Sequence, residues 1–162
     1  MPYILPSLIT ALALLLYAGA SGYVLRVRGR SGIRAPAVSG AEDFDRAFRI
    51  QQNTLEQLVL FVPALWLFSA FVSSSWGAGI GILWIVGRTY YAVSYARDPE
   101  KRIPGFAIGW ACSLILLLGA LAGILRALFS LDYLEATSRR PDCRLAAQPV
   151  FDQPASDRVK AR

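Results

Sequence analysis

The chain has 162 residues, a formal net charge of +6, no histidine and two cysteines. Apolar residues make up 55% of it, above the roughly 45–50% of soluble domains. Without a Cys/His cluster, no zinc or other metal site is expected. Because the basic residues lie mainly in loops and tails beside apolar stretches, the charge indicates membrane orientation and not nucleic-acid binding.

Uncharged stretches predict four membrane-spanning helices. No charged side chain occurs from Met1 to Leu25, from Gln57 to Gly87, or from Ile103 to Leu125. A bilayer core of about 30 Å takes about 20 helical residues, so the middle stretch must be shared by two spans. The sequence therefore predicts an all-α integral membrane fold with spans at about 4–25, 46–72, 77–95 and 104–129. Residues 1–137 would form this domain, and the polar residues 138–162 a disordered tail.

The linkers between the predicted spans differ in charge. The second linker, residues 73–76, is uncharged, whereas the first and third carry Arg26, Arg28, Arg30 and Arg34, and Arg97, Lys101 and Arg102. Short basic loops face the cytoplasm, so residues 26–45 and 96–103 are expected there. No retention signal is visible, and we expect a bacterial inner membrane.

Polar residues inside the second span form one helix face. Arg49, Asn53 and Glu56 are spaced i, i+4 and i+7, which places them on one side of a helix. A charge at the centre of a membrane helix costs at least about 2.5 kcal/mol, so this face should avoid lipid. It could serve as a structural Arg49–Glu56 ion pair or as a polar ligand site. The additional amides of Asn53 and Gln52 favour the ligand site.

The third span repeats this pattern with Arg88, Tyr91 and Tyr95 at i, i+3 and i+7. Tyrosines also collect at membrane interfaces, so these two could simply be belt residues. Arg88, two turns before the loop, is harder to explain in that way. Together with the linker arginines, both faces predict an electropositive pocket for a small ligand with carboxylates and an amine.

Two segments resemble a known family. The segment Phe48–Glu56 reads FRIQQNTLE, and Arg88-Thr89-Tyr90-Tyr91 is followed by Tyr95 and by KRIPGF at residues 101–106. They resemble the second and third helices of the membrane-associated proteins in eicosanoid and glutathione metabolism. The resemblance covers roughly residues 5–133. It is nearest to the branch of type-2 and type-3 microsomal glutathione transferases and the leukotriene-forming glutathione synthase.

The resemblance implies a left-handed four-helix protomer, a homotrimer, and glutathione as co-substrate at protomer interfaces near the cytoplasmic face. With Arg88 added from the residue pattern, the expected glutathione contacts are Arg28 (or Arg26), Arg49, Gln51, Asn53, Glu56, Arg88, Tyr91 and Tyr95. Arg102 matches the arginine proposed to stabilise the thiolate, so it is the expected catalytic residue. Gln57 is a departure, because relatives usually have an aromatic residue there.

The implied activity is conjugation of the glutathione thiolate to lipophilic electrophiles in the membrane, with reduction of lipid hydroperoxides as a second activity. The alternative within the family is a non-catalytic lipid-binding protein. A small carrier or channel is a third hypothesis, but the sequence shows no sign of the broken helices typical of transporters.

Overall fold

The computed structural model describes residues 3–138, with side chains described as far as Ser130. All regular structure in this part is helical: α1 Ile4–Arg30, α2 Glu42–Phe71, α3 Ser74–Arg97, a short 3₁₀ helix Pro99–Arg102, and α4 Ile103–Ser138. The predicted all-α fold is confirmed. Residues 139–162, which hold nearly all of the predicted tail, lie outside the described residues.

The chain divides into two compact units, Met1–Ala127 and Leu128–Arg162. The described part of the second unit is the end of α4, through Ser138. The helices extend beyond the predicted spans, since α1 continues to Arg30 and α2 already begins at Glu42. The span estimates counted mainly apolar residues, whereas polar residues at the ends of the apolar stretches continue the same helices.

Three helical segments are long and apolar enough to cross a bilayer: Ile4–Ser31, Glu42–Phe71 and Pro99–Ser130. The chain is therefore a membrane protein. With 24 residues, α3 is also long enough at about 1.5 Å per residue. Its glycines, tyrosines and Arg88 make it less apolar, and its membrane crossing stays a prediction, as do the orientation and the host membrane.

Local sequence explains where the helices begin. The first turn of α2 carries Glu42, Asp43 and Asp45, and negative charge is favourable at the positive end of the helix dipole. Ser73 precedes α3, and its hydroxyl accepts a hydrogen bond from the backbone N–H of Trp76 at 3.4 Å. Only two residues separate α2 from α3, so these helices form a tight antiparallel pair.

The main core lies where α2 and α3 face each other. Phe61 of α2 stacks on Trp84 of α3 with ring centroids 4.1 Å apart, and Ile9 of α1 and Leu116 of α4 join the same buried cluster. Many large apolar side chains on the outer faces are exposed in the protomer, including Leu15 at 67%. This exterior suits a hydrocarbon environment, where apolar side chains need no burial.

Glycines of α4 permit close contacts with the neighbouring helices. A Cβ on Gly105 would lie 2.6 Å from the backbone nitrogen of Tyr91. Further along α4, a Cβ on Gly119 would lie 2.5 Å from the ring of Phe68, and one on Gly123 would lie 2.8 Å from Val72. Thus α4 lies against α3 where it begins and against the end of α2 further on.

Candidate functional site

A cavity of about 530 Å³ lies between the first half of α2 and the start of α4, with α3 as its inner wall. Its volume falls within the range of about 300–1,000 Å³ that is usual for small-molecule sites. The lining combines cationic, phenolic, amide and apolar side chains: Arg49, Asn53, Tyr91, Tyr95, Arg102, Ile103 and Phe106. We call it the polar cavity.

Both tyrosines of the polar cavity are part of the packed interior. Tyr91 is 3% exposed and Tyr95 is 9% exposed, and their rings stack with centroids 5.7 Å apart. The ring of Phe106 on α4 is tilted against the Tyr91 ring, with ring centroids 6.4 Å apart. Tyr90, which is 48% exposed, has the exposure of an interface residue. The geometry therefore favours Tyr91 and Tyr95 as wall residues of a site over the belt interpretation.

Arg88 lies behind the wall of the polar cavity. It is fully buried, with 0% exposure. Its Nη1 donates to Oδ1 of Asn53 at 3.0 Å, and its Nη2 donates to Oγ1 of Thr54 at 2.8 Å. The guanidinium also lies over the Tyr91 ring, 4.2 Å from its centroid. Arg88 thus joins α3 to two successive residues of α2.

The contact from Arg88 sets the orientation of the Asn53 amide. Because Oδ1 of Asn53 accepts from Arg88, its Nδ2 is turned towards Glu56 and donates to that carboxylate at 3.3 Å. The structural alternative from the sequence, an Arg49–Glu56 ion pair, is not formed. Within the described side chains, the ion pairs are Arg46–Glu42 and Lys101–Asp98.

The remaining predicted residues lie outside the lining of the polar cavity in this single protomer. Nη1 of Arg28 donates to the carbonyl oxygen of Ala37 at 3.0 Å, and Nε2 of Gln51 donates to Oγ of Ser21 on α1 at 3.0 Å. The structure therefore brings together Arg49, Asn53, Tyr91, Tyr95 and Arg102. It places Arg28, Gln51, Glu56 and Arg88 outside that lining. A ligand contact stays a prediction for all nine residues.

The loop before α4 positions Arg102. Asp98 caps the 3₁₀ helix, since its Oδ1 accepts from the backbone N–H of Glu100 at 3.1 Å. Its other carboxylate oxygen lies 3.2 Å from Nζ of Lys101. The backbone hydrogen bond and then the lysine hold the pKa of Asp98 below its usual value. The loop directs Arg102 over Tyr95, with its guanidinium 5.2 Å from the ring centroid.

Sequence reasoning did not assign Ile103, Phe106 or Thr54 to the site. Ile103 and Phe106 supply the apolar part of the polar cavity, and Thr54 accepts from Arg88. All three lie inside the two segments that carry the family resemblance, which was the available signal. Gln57 is 6% exposed and is not in the lining. A Cβ on Gly109 would lie 3.0 Å from Cδ of Arg88 and 3.7 Å from Oε1 of Gln57, so this departure from the family pattern lies in the packing near Arg88.

Comparison with known proteins decides the family. The sequence model of the MAPEG family matches residues 6–122. The chain belongs to the MAPEG family, the membrane-associated proteins in eicosanoid and glutathione metabolism. It is 48% identical over 120 residues to an uncharacterised protein of Synechocystis, covering 74% of this chain and 88% of that protein.

Two relatives with named enzyme activities match this chain over a similar length. Microsomal glutathione S-transferase 2 of Mus musculus is 36% identical over 121 residues, covering 73% of this chain and 82% of its own length. Leukotriene C4 synthase of Rattus norvegicus is 32% identical over 114 residues, covering 70% of this chain and 76% of its own length. The resemblance read from the two helix segments is thereby confirmed, and it supports a glutathione-related membrane enzyme.

Proposed function

We propose that this MAPEG protein is a membrane glutathione transferase that joins the glutathione thiolate to lipophilic electrophiles. The observation that carries the proposal is the polar cavity, which gathers Arg49, Arg102 and two buried phenols next to apolar side chains. Neither arginine has an ion pair among the described residues. Such a site suits an anionic co-substrate and an apolar partner at the same time.

The chemistry of the lining matches that of glutathione, which has two carboxylates, one ammonium group and one thiol. A guanidinium binds a carboxylate through two parallel hydrogen bonds, and Arg49 is the proposed carboxylate ligand. Glu56, held beside the cavity by Asn53 at 3.3 Å, is the proposed partner of the ammonium group. Ile103 and Phe106 would contact the electrophile.

Arg102 has the proposed catalytic role. A free thiol has a pKa of about 8.5 and is mostly protonated at neutral pH. A guanidinium beside the sulfur favours the thiolate, and the thiol proton leaves to water. The thiolate then forms a sulfur–carbon bond with the electrophile while the leaving group departs with its electron pair. The same thiolate would reduce a lipid hydroperoxide to the alcohol and water, with a second glutathione completing the disulfide.

The test is conjugation of glutathione to a chlorinated nitrobenzene by the purified protein, with calorimetry for glutathione binding. We expect Arg102→Ala to lower kcat about 10²-fold with little change in glutathione affinity, and to move the pH–rate profile to higher pH. Arg30→Ala, an exposed arginine in the last turn of α1, is the control and should retain activity.

Two results would contradict the proposal. A fully active Arg102→Ala would remove the thiolate role, and a protein with neither turnover nor glutathione binding would be a non-catalytic, lipid-binding member of the family. A loss of activity in Arg30→Ala as well would show only a general effect of charge at this end of the molecule.

We further propose that the complete site forms between protomers of a homotrimer. Glu56 is exposed and Gln51 half-exposed on α2, although α2 is a membrane-spanning candidate. Each of these side chains has a hydrogen bond within the protomer, but its exposed polar atoms still need cover, because contact with lipid is costly. Cross-linking and mass measurement in detergent should give three copies, and a strict monomer that still binds glutathione would refute the interfacial site.

A further inference from the structure

A second cavity, of about 550 Å³, lies between α1 and α3. Most of its walls are small or apolar, with Leu15, Gly19 and Tyr23 from α1 and Ala92, Val93 and Ala96 from α3. The polar part of the inner wall consists of Thr54, Thr89 and the buried Arg88, whose guanidinium is bonded to Asn53 and Thr54. We call it the α1–α3 groove. The α1 residues belong to the membrane-spanning segment Ile4–Ser31, so the groove opens at the depth of the bilayer.

The α1–α3 groove is separate from the polar cavity. On α2, Arg49 and Asn53 line the polar cavity, whereas Ile50 and Thr54 line the groove. On α3, Tyr91 and Tyr95 line the polar cavity, and the next residue after each, Ala92 and Ala96, lines the groove. Because the two sets lie on adjacent faces of the same helices, the packed pair α2–α3 separates the spaces. The groove is therefore not needed for the proposed thiol chemistry.

One end of the groove is positively charged. Arg97 lines the groove and also a smaller recess of about 270 Å³ that contains Asp98 and Lys101. Lys101 is paired with Asp98, Nζ to Oδ2 3.2 Å. Arg97 is exposed and has no ion pair among the described residues. One guanidinium thus remains available where the apolar walls end.

This order of groups, an apolar groove in a membrane-spanning bundle followed by one available cation, matches a lipid with a negative head group. We propose that the α1–α3 groove binds an acyl chain of an anionic phospholipid of the surrounding bilayer, with the phosphate held by Arg97. Arginine suits this position because its guanidinium stays charged and pairs with phosphate through two hydrogen bonds. The hydroxyl of Tyr90, which also lines the recess, is a further donor.

The charge part of the proposal is tested by native mass spectrometry of the purified protein in detergent with added phosphatidylglycerol or phosphatidylcholine. The wild type should retain phosphatidylglycerol in preference. One basic residue near an anionic membrane is worth about a fivefold change in binding, so Arg97→Gln should lower this preference about fivefold. Arg30→Gln, an exposed arginine outside the groove, should leave it unchanged.

The groove itself is tested with two matched glycine variants on α1. A Cβ on either Gly19 or Gly22 would meet nothing within 4 Å, but only Gly19 lines the groove. Gly19→Leu should fill the groove and reduce retention of both lipids, whereas Gly22→Leu should behave as the wild type. Both substitutions replace glycine in a helix by a better helix former, so neither is expected to unfold the protein.

Equal lipid retention by Gly19→Leu and Gly22→Leu would overturn the proposal. So would a changed mass of the assembly in Gly19→Leu without a change in lipid retention, because a second copy of the chain would then cover the groove. Glutathione conjugation does not enter either readout, so this proposal and the proposed transferase activity can fail independently.

Discussion

The buried Arg88 permits a direct choice between two roles, ligand contact and positioning of Asn53. Replacement by methionine removes the guanidinium but keeps a long, flexible side chain that fills most of the same space. The donors to Oδ1 of Asn53 and Oγ1 of Thr54 are then lost. The amide of Asn53 is free to rotate, and its Nδ2 no longer has a fixed direction towards Glu56.

The loss in free energy of unfolding expected for Arg88→Met follows from the two hydrogen bonds of Arg88. Each hydrogen bond from a charged group contributes about 1.5–3 kcal/mol, so the two bonds from Arg88 correspond to about 3–6 kcal/mol. Part of this is offset, because a buried guanidinium also carries a desolvation penalty that methionine lacks. We therefore expect Arg88→Met to lower the free energy of unfolding by about 3 kcal/mol and to weaken glutathione binding about tenfold through Asn53.

The assay pairs unfolding in mixed detergent micelles with glutathione calorimetry. Thr54→Val is the matched control, because it leaves the bond from Arg88 to Asn53 in place. It removes the bond from Nη2 of Arg88 to Oγ1 of Thr54, 2.8 Å in length, and the bond from the same hydroxyl to the carbonyl oxygen of Ile50, 2.7 Å in length. It should reduce stability but preserve glutathione affinity. If Arg88→Met kept full stability and lost all glutathione binding, Arg88 would be a direct ligand and the positioning argument would be wrong.

Two further predictions concern the elements that hold the site in place. Gly105→Ala should lower the free energy of unfolding by about 1–3 kcal/mol and reduce turnover, because its Cβ would meet the backbone of α3 at 2.6 Å. Gly79→Ala is the control, since its Cβ would meet nothing within 4 Å. It should leave the thermal unfolding temperature unchanged or raise it slightly. Asp98→Ala should lower kcat with unchanged glutathione affinity, because the loop carrying Arg102 loses its cap. Asp98→Asn should retain activity, since asparagine also caps helices. Equal rates for both variants would refute the role of the cap.

The sequence predicted the helices well because apolar length and charge depend on local composition. The 3.6-residue period of a helix placed Arg49 and Asn53 on one face of α2 and Tyr91 and Tyr95 on one face of α3. The structure brings these two faces together at one cavity. Periodicity could not show that Arg88, on the same face as Tyr91, is shielded from the cavity. That depends on the depth at which α2 and α3 pack, which only tertiary contacts determine.

The C-terminal limit of the helical part was less predictable for a similar reason. The predicted fourth span stopped near residue 129, but α4 continues to Ser138. Apolar length reports the thickness of the bilayer core and not where the backbone hydrogen bonds of a helix end. Arg28 and Gln51, in turn, are held by contacts with Ala37 and Ser21 that no spacing rule indicates.

The glycines of α4 bear on the dimensions of the polar cavity. Gly105 fixes the start of the helix against α3, while Gly119 and Gly123 fix its later turns against α2. The angle between α4 and α2, and with it the distance from Phe106 to Asn53, therefore depends on side-chain size at positions about 20 Å from the cavity, at 1.5 Å per residue. The dimensions of the polar cavity therefore depend on residues that lie outside its lining.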